Sequence, residues 1–148
     1  MRYGPWEKTV RKLEMMGPLT EAAVMKQMTI EGMRLEKTMR DGIRLRKYGL
    51  TALKPATIKR KKSSTPLIDK GDLINSITSK IVAWHTVFAG ILRMARNRKG
   101  NMLVNIGEIH VKGLGKMPKR DFITPAVKER EKKFADNLQG AINTILKI

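Results

Sequence analysis

The sequence has no cysteine. Disulfides, cysteine-ligated zinc and thiolate nucleophiles are therefore excluded. Acids are scarce: 13 Asp and Glu stand against 31 Lys and Arg, a formal net charge of +18. Aromatic residues make up 5% of the chain, too few for the stacking platforms on which single-stranded nucleic acid is held. No apolar run approaches the ~18 residues of a membrane-spanning helix, and the N-terminus has no signal-peptide apolar region. A soluble, intracellular protein with no membrane partner is expected. Also missing are a phosphate-cradling Gly-Lys-Ser/Thr loop, a His-Glu-x-x-His pair and a serine elbow. His85 and His110 have no plausible ligand spacing to each other. No metal, cofactor or catalytic residue is called for, and enzymatic activity is not expected.

The 148 residues and 41% hydrophobic content suit one folded domain over 1–148 with its own core. The positive charge attracts polyanions: DNA, RNA, an anionic membrane or an acidic protein surface. Phosphate attraction carries no sequence information, so charge does not choose among them.

Periodicity supplies the elements. Residues 1–18 read as an N-terminal helical arm, with Trp6, Val10 and Leu13 at helical spacing and Gly17-Pro18 as its stop. Thr20 is placed to cap a second, long amphipathic helix running to about Tyr48. Its stripe is Met25, Met28, Gly32, Leu35 and Met39, continuing less cleanly through Ile43, with bases off the stripe. Residues 51–77 form a bend-rich anchor. Pro55 and Pro66 fix the backbone, Gly71 permits an unusual angle, and Ile58, Leu67, Ile68, Leu73 and Ile77 need burial. Short helical turns are expected at 55–61 and 71–76, with Asp69 and Asp72 as caps.

Residues 78–94 read as two strands with a turn near Trp84-His85-Thr86. Residues 95–101 read as an exposed basic loop, and 103–109 as another strand weakened by Gly107. Pro118 favours extended chain, Phe122 and Ile123 are apolar anchors, and Arg120 is available to Asp121 or an interface carboxylate. Thr124 and Pro125 open a C-terminal helix over 124–148, with Val127, Phe134, Leu138, Ala141 and Ile145 on one face and a Glu129–Lys133 pair. The expected class is α+β: long N- and C-terminal amphipathic helices packed on a small antiparallel sheet.

Two stretches carry a resemblance. Leu53, Pro55, Thr57, Ile58, Arg60 and Lys61 form one pattern with Pro66 to Asp69, Gly71, Leu73, Ser76 and Ile77. Met117 to Ala126 forms the other, and 109–113 continues it weakly. Together they resemble the tail-completion, or virion morphogenesis, proteins of tailed bacteriophages. The resemblance implies a structural assembly protein that joins head and tail at the virion neck as a homo-oligomer, a hexameric ring. It would contact connector or stopper, tail-terminator or tail-tube proteins, and non-specifically the DNA in the channel. It would be found in the host cytoplasm during assembly and then in the virion. Candidate interface residues are Lys59, Arg60, Lys61, Lys62, Arg96, Arg98, Lys99, Lys112, Lys119 and Arg120. The alternative is a basic nucleic-acid-binding module in which Lys59 to Lys62 and Arg96 to Lys99 neutralise phosphates without reading bases.

Overall fold

The computed structural model describes residues 5–146, with side-chain environments from residue 14 onward. In chain order the elements are α1 (Pro5–Arg44), α2 (Pro55–Lys61), α3 (Asp72–Asn75), β1 (Ile77–Ala83), β2 (Thr86–Ile91), α4 (Leu103–Lys112) and α5 (Thr124–Leu146). The architecture is α+β, with a long N-terminal and a long C-terminal helix packed with a two-stranded antiparallel sheet. No helix among the described residues is long and apolar enough to cross a membrane.

The long helix α1 is the axis of the fold. Val24, Met28, Glu31, Met39 and Ile43 are buried along it, with Leu35 half-buried between them. Steps of three and four residues put them on one stripe. Met25, assigned to that stripe from the sequence, is instead exposed, and Val24 takes the inward place.

The hairpin and α5 both pack on α1. Neighbouring residues face the two partners. A Cβ added to Gly32 would stand 2.5 Å from the Val87 side chain and 3.3 Å from Cβ of Ser79, so bare backbone lets the sheet approach. Glu31, 2% exposed, turns toward α5. Its carboxylate accepts from Arg130 (2.6 Å) and Asn137 (2.7 Å) of α5, and from Arg34 (2.7 Å) and Gln27 (3.0 Å) of its own helix. Burial alone would push the Glu31 carboxyl up. The hydrogen bonds from Arg130, Asn137 and Arg34 outweigh it and hold the group below its ordinary range.

Three expectations about α1 are corrected. Gly17 and Pro18 do not stop it, and Thr20 is therefore interior and no cap. Gly17 has no Cβ to clash with the proline ring. Glu14, Gly17 and Pro18 are exposed, so water reaches the carbonyl that Pro18 leaves without an amide donor. The side chains of Trp6, Val10 and Leu13 lie outside the described environments. At the other end α1 stops at Arg44, short of Tyr48. The chain turns through Arg46 at φ 52° and Gly49 at φ 59°. Tyr48 folds back over Gly42 and donates its hydroxyl to Glu129 at 2.8 Å. Burial and that carboxylate push the Tyr48 phenol up, so it stays a donor.

β1 and β2 form a hairpin that turns at Trp84 and His85, whose rings meet edge to face at 4.8 Å. A bulge falls between Ile81 and Ala83. The pairs Ser79 with Ala89 and Ile81 with Val87 face α1, while Lys80 and Phe88 pair on the outer face. Two polar ties reinforce the seam: Ser79 donates to Glu36 at 2.9 Å, and Arg40 donates to the Ile77 carbonyl at 2.5 Å.

Residues 103–112 are helix α4 rather than the expected strand. Leu103, Gly107 and His110 recur with helical period, and a Cβ on Gly107 would stand 2.7 Å from Cδ1 of Ile91. Gly107 is thus a point of close packing, where sequence reading saw a flaw in a strand. Helix α5 begins as expected, but Asp121 serves it: its carboxylate accepts from the Ile123 and Thr124 amides, both at 3.0 Å. Ala126 is buried and Val127 exposed, so Ala126 takes the inward place at the start of the helix, while Phe134, Leu138, Ala141 and Ile145 lie half-buried on the expected face. Glu129 turns to Tyr48 and lies 3.9 Å from Lys47, and no ion pair with Lys133 forms.

The core gathers Met39, Ile43, Leu50, Leu67, Leu73, Ile74, Ile77, Ile91, Leu103, Phe122 and Ala126. Both resembling stretches contribute to it, although about 50 residues separate Leu73 from Phe122.

Glu31→Ala is expected to lower the unfolding free energy by about 3 kcal/mol, because Arg130 would be left without its carboxylate. Urea denaturation measures this, and a loss under about 0.5 kcal/mol would show that apolar contact alone holds the seam. Gly32→Ala is expected to cost about 1–3 kcal/mol by driving a methyl group into Val87. Thermal melting of that variant beside wild type tests it.

Candidate functional site

A cleft of about 1030 Å³ opens where the anchor segment, the 97–101 loop, α4 and the 115–120 loop meet. Its lining carries eight bases, Lys54, Arg60, Lys61, Lys70, Arg98, Lys99, Lys116 and Arg120, against two acids, Asp69 and Asp72. The walls between them are apolar: Leu53, Leu67, Leu73, Leu103, Ile106, Met117 and Pro118.

Each wall is fixed by local chemistry. Pro55 starts α2 next to Lys54, whose backbone is extended, and the helix ends at Lys62 in the left-handed region. Arg60 and Lys61 face the cleft from the last turn, where cations suit the helix C-terminus. Pro66 and Leu67 are buried beneath, Leu67 at φ 64°, a conformation uncommon for a leucine and held here by core packing. Ile68 packs partly buried against the core, and Ile58 is half-buried. Gly71 supplies φ 86° ahead of α3.

The basic loop at 95–101 is not a loose tip. Asn97 accepts from the Lys99 and Asn101 amides, both at 2.9 Å, and Arg96 donates to the Gly100 carbonyl at 2.9 Å. Asp72 accepts from the Arg98 amide at 3.2 Å and lies 3.3 Å from its guanidinium. The expected cap at Asp72 is therefore corrected: neither it nor Asp69 makes a capping side-chain bond to α3, and Asp72 anchors the loop instead.

Arg120 sits at the back of the cleft, 6% exposed. The expected pairing with Asp121 does not occur. Its guanidinium donates to the carbonyls of Thr51 (2.8 Å) and Ala52 (3.3 Å), and its amide donates to the His110 carbonyl at 2.7 Å. Among the described residues no carboxylate lies within ion-pair distance of it. Burial lowers the pKa of Arg120 from its ordinary value, and Lys61 is lowered by burial with Arg120 and Arg60 nearby, against the pull of Asp69. His110 lines the same wall with Nδ1 buried and without a hydrogen-bond partner. Burial, then Arg120 and Lys61, push its imidazole below the ordinary value.

The cleft thus brings together Arg60, Lys61, Arg98, Lys99 and Arg120, with Thr57, Leu67, Asp69, Leu73 and Pro118 of the resembling stretches. It does not include Lys59, Lys62, Arg96, Lys112 or Lys119. Lys112 instead pairs with Glu108 along α4 at 2.5 Å. Lys54, Lys70 and Lys116 were missed as candidates because each is a lone lysine outside a charge run. The cleft can hold an anion by charge and donors. Among the described residues no group of three or more His, Asp or Glu is placed to hold a metal.

Neutral burial of His110 has a pH signature. Its folded pKa lies below 6.5, so the unfolded chain binds the proton first. Stability present above that pH is lost as pH falls toward the folded value. Tm should fall between pH 7.5 and about 5.5, and His110→Gln should flatten that slope relative to wild type. Equal slopes in both proteins would assign the loss elsewhere.

No family model, characterised protein or solved structure matches this chain.

Proposed function

We propose that this is a structural assembly protein of a tailed-phage virion, a tail-completion or head–tail joining component that works by self-association and docking. The carrying observation is a contrast between two surfaces of one subunit. The cleft is strongly basic, whereas the outer face of the hairpin is nearly uncharged: β1 and β2 contain Lys80 and no acid. That face exposes Val82 (67%), Trp84 (44%) and Phe88 (36%), with Leu92 just beyond β2. A two-stranded sheet also leaves both outer edges without a strand partner among the described residues.

Copies of a +18 chain repel one another. They meet with least penalty where charge is low and apolar area is exposed, which is this hairpin face. A ring needs two different patches that fit each other, so a hairpin edge docked on a second, distinct surface of the neighbour would propagate around a closed circle. The basic cleft then remains for connector, terminator or tube proteins. Such a subunit would be made in the host cytoplasm and end in the virion neck. Binding to DNA is the second reading, favoured by the bases of the cleft, and salt separates the two. Phosphate binding falls with a slope of about −0.9 per contact, while apolar ring assembly survives.

Size-exclusion chromatography with light scattering at 0.5 M salt is expected to give a closed oligomer, six subunits on the resemblance. Val82→Lys with Phe88→Lys should leave a monomer whose Tm is unchanged. Wild type that stays monomeric at high concentration and high salt would overturn the reading.

A further inference from the structure

We propose that the basic cleft is a receptor for an acidic peptide segment that carries apolar side chains, supplied by a different protein. This deepens the assembly reading, on which it rests, by naming the chemistry of the second partner.

Charge, shape and the lining converge on that guest. A cavity of about 1030 Å³ is at the upper end of the range for small-ligand pockets, and it is open along one side. It suits a short stretch of chain and not a duplex. Lys61, Arg98, Lys99 and Lys116 enter from three separate segments, so positive charge surrounds the opening. Asp72 is already occupied by Arg98. The buried Arg120 at the back adds a charge that no described carboxylate neutralises, and a guest carboxylate relieves that imbalance.

The spaces between the bases are apolar. Met117, 46% exposed, and the half-buried Leu53 and Ile106 would be left against water by an inorganic phosphate or a bare polyanion, whereas leucine or phenylalanine side chains cover them. No Phe, Tyr or Trp lines the cleft, and its single imidazole, His110, is half-buried in the wall, so unstacked nucleobases find no platform of rings. A second copy is a poor source of the guest, since its 13 acids are scattered among 31 bases and its net charge of +18 repels the cleft.

The test uses the full-length protein and a fluorescein-labelled peptide of alternating glutamate and leucine. Polyglutamate of equal charge, a 20-base-pair duplex and a single-stranded oligonucleotide serve as competitors. The glutamate–leucine peptide should bind at least about tenfold tighter than polyglutamate and be displaced poorly by either nucleic acid. Lys99→Glu with Lys116→Glu should weaken binding by about tenfold or more without lowering Tm, as both side chains are exposed. Lys59→Glu with Lys62→Glu makes the same change in net charge outside the cleft and should cost little.

Equal losses in the two double variants would reduce the effect to overall charge and overturn the proposal. So would polyglutamate or duplex binding as tightly as the peptide. The readout does not depend on oligomeric state. A chain that stays monomeric yet binds the peptide sinks the ring reading alone, and a ring that ignores the peptide sinks this proposal alone.

Discussion

Everything in this molecule depends on one helix being covered from two directions. The buried stripe of α1 is too long for a six-residue strand or a hairpin to shield alone, and α5 completes the cover. The two seams meet at consecutive residues. At Gly32 contact is made by removing a side chain, so that Val87 and Ser79 approach the helix backbone. At Glu31 it is made by a carboxylate shared among residues of both helices. The first seam is a matter of shape and the second of charge, and neither substitutes for the other. Apolar packing along α1 supplies the bulk of the attraction, while these two residues fix how far along the helix each partner sits.

The site inherits its order from that arrangement. Leu67, Leu73, Leu103 and Phe122 are core residues first, and their backbones carry the loops that bear the bases. Arg120 then acts as a clasp, joining residues 51 and 52 to the end of α4 through carbonyl groups. Its charge is spent on backbone oxygens, which hold geometry without cancelling charge. The cleft is therefore basic because its scaffold is basic, in addition to its rim.

Much of this was legible in the sequence. The class, the hairpin with its turn at Trp84 and His85, the turns after Pro55 and Gly71 and the start of α5 follow from period, proline and glycine. The failures have physical causes. Gly17-Pro18 reads as a stop, yet glycine removes the steric conflict and exposure satisfies the spare carbonyl. The stretch 103–109 is short and aliphatic, where strand and helix periods are hard to tell apart, and Gly107 marks close packing against Ile91. Glu31 was invisible because a lone acid on a helix gives no local sign that Arg130 and Asn137 wait a hundred residues away. The cleft itself is a product of tertiary folding. Runs such as Lys59 to Lys62 announce charge but not direction, and only the middle pair, Arg60 and Lys61, faces the cleft.

The unequal lengths of the two long helices carry a geometric consequence. At 1.5 Å per residue, Pro5–Arg44 extends about 60 Å and Thr124–Leu146 about 35 Å. The partners of Tyr48 and Glu31 show that they run antiparallel from a shared end, so α5 gives out near residue 22 of α1. Roughly 25 Å of spar is left over, on the scale of a small domain's radius. Any macromolecule approaching from that side would touch the spar before it reached the body.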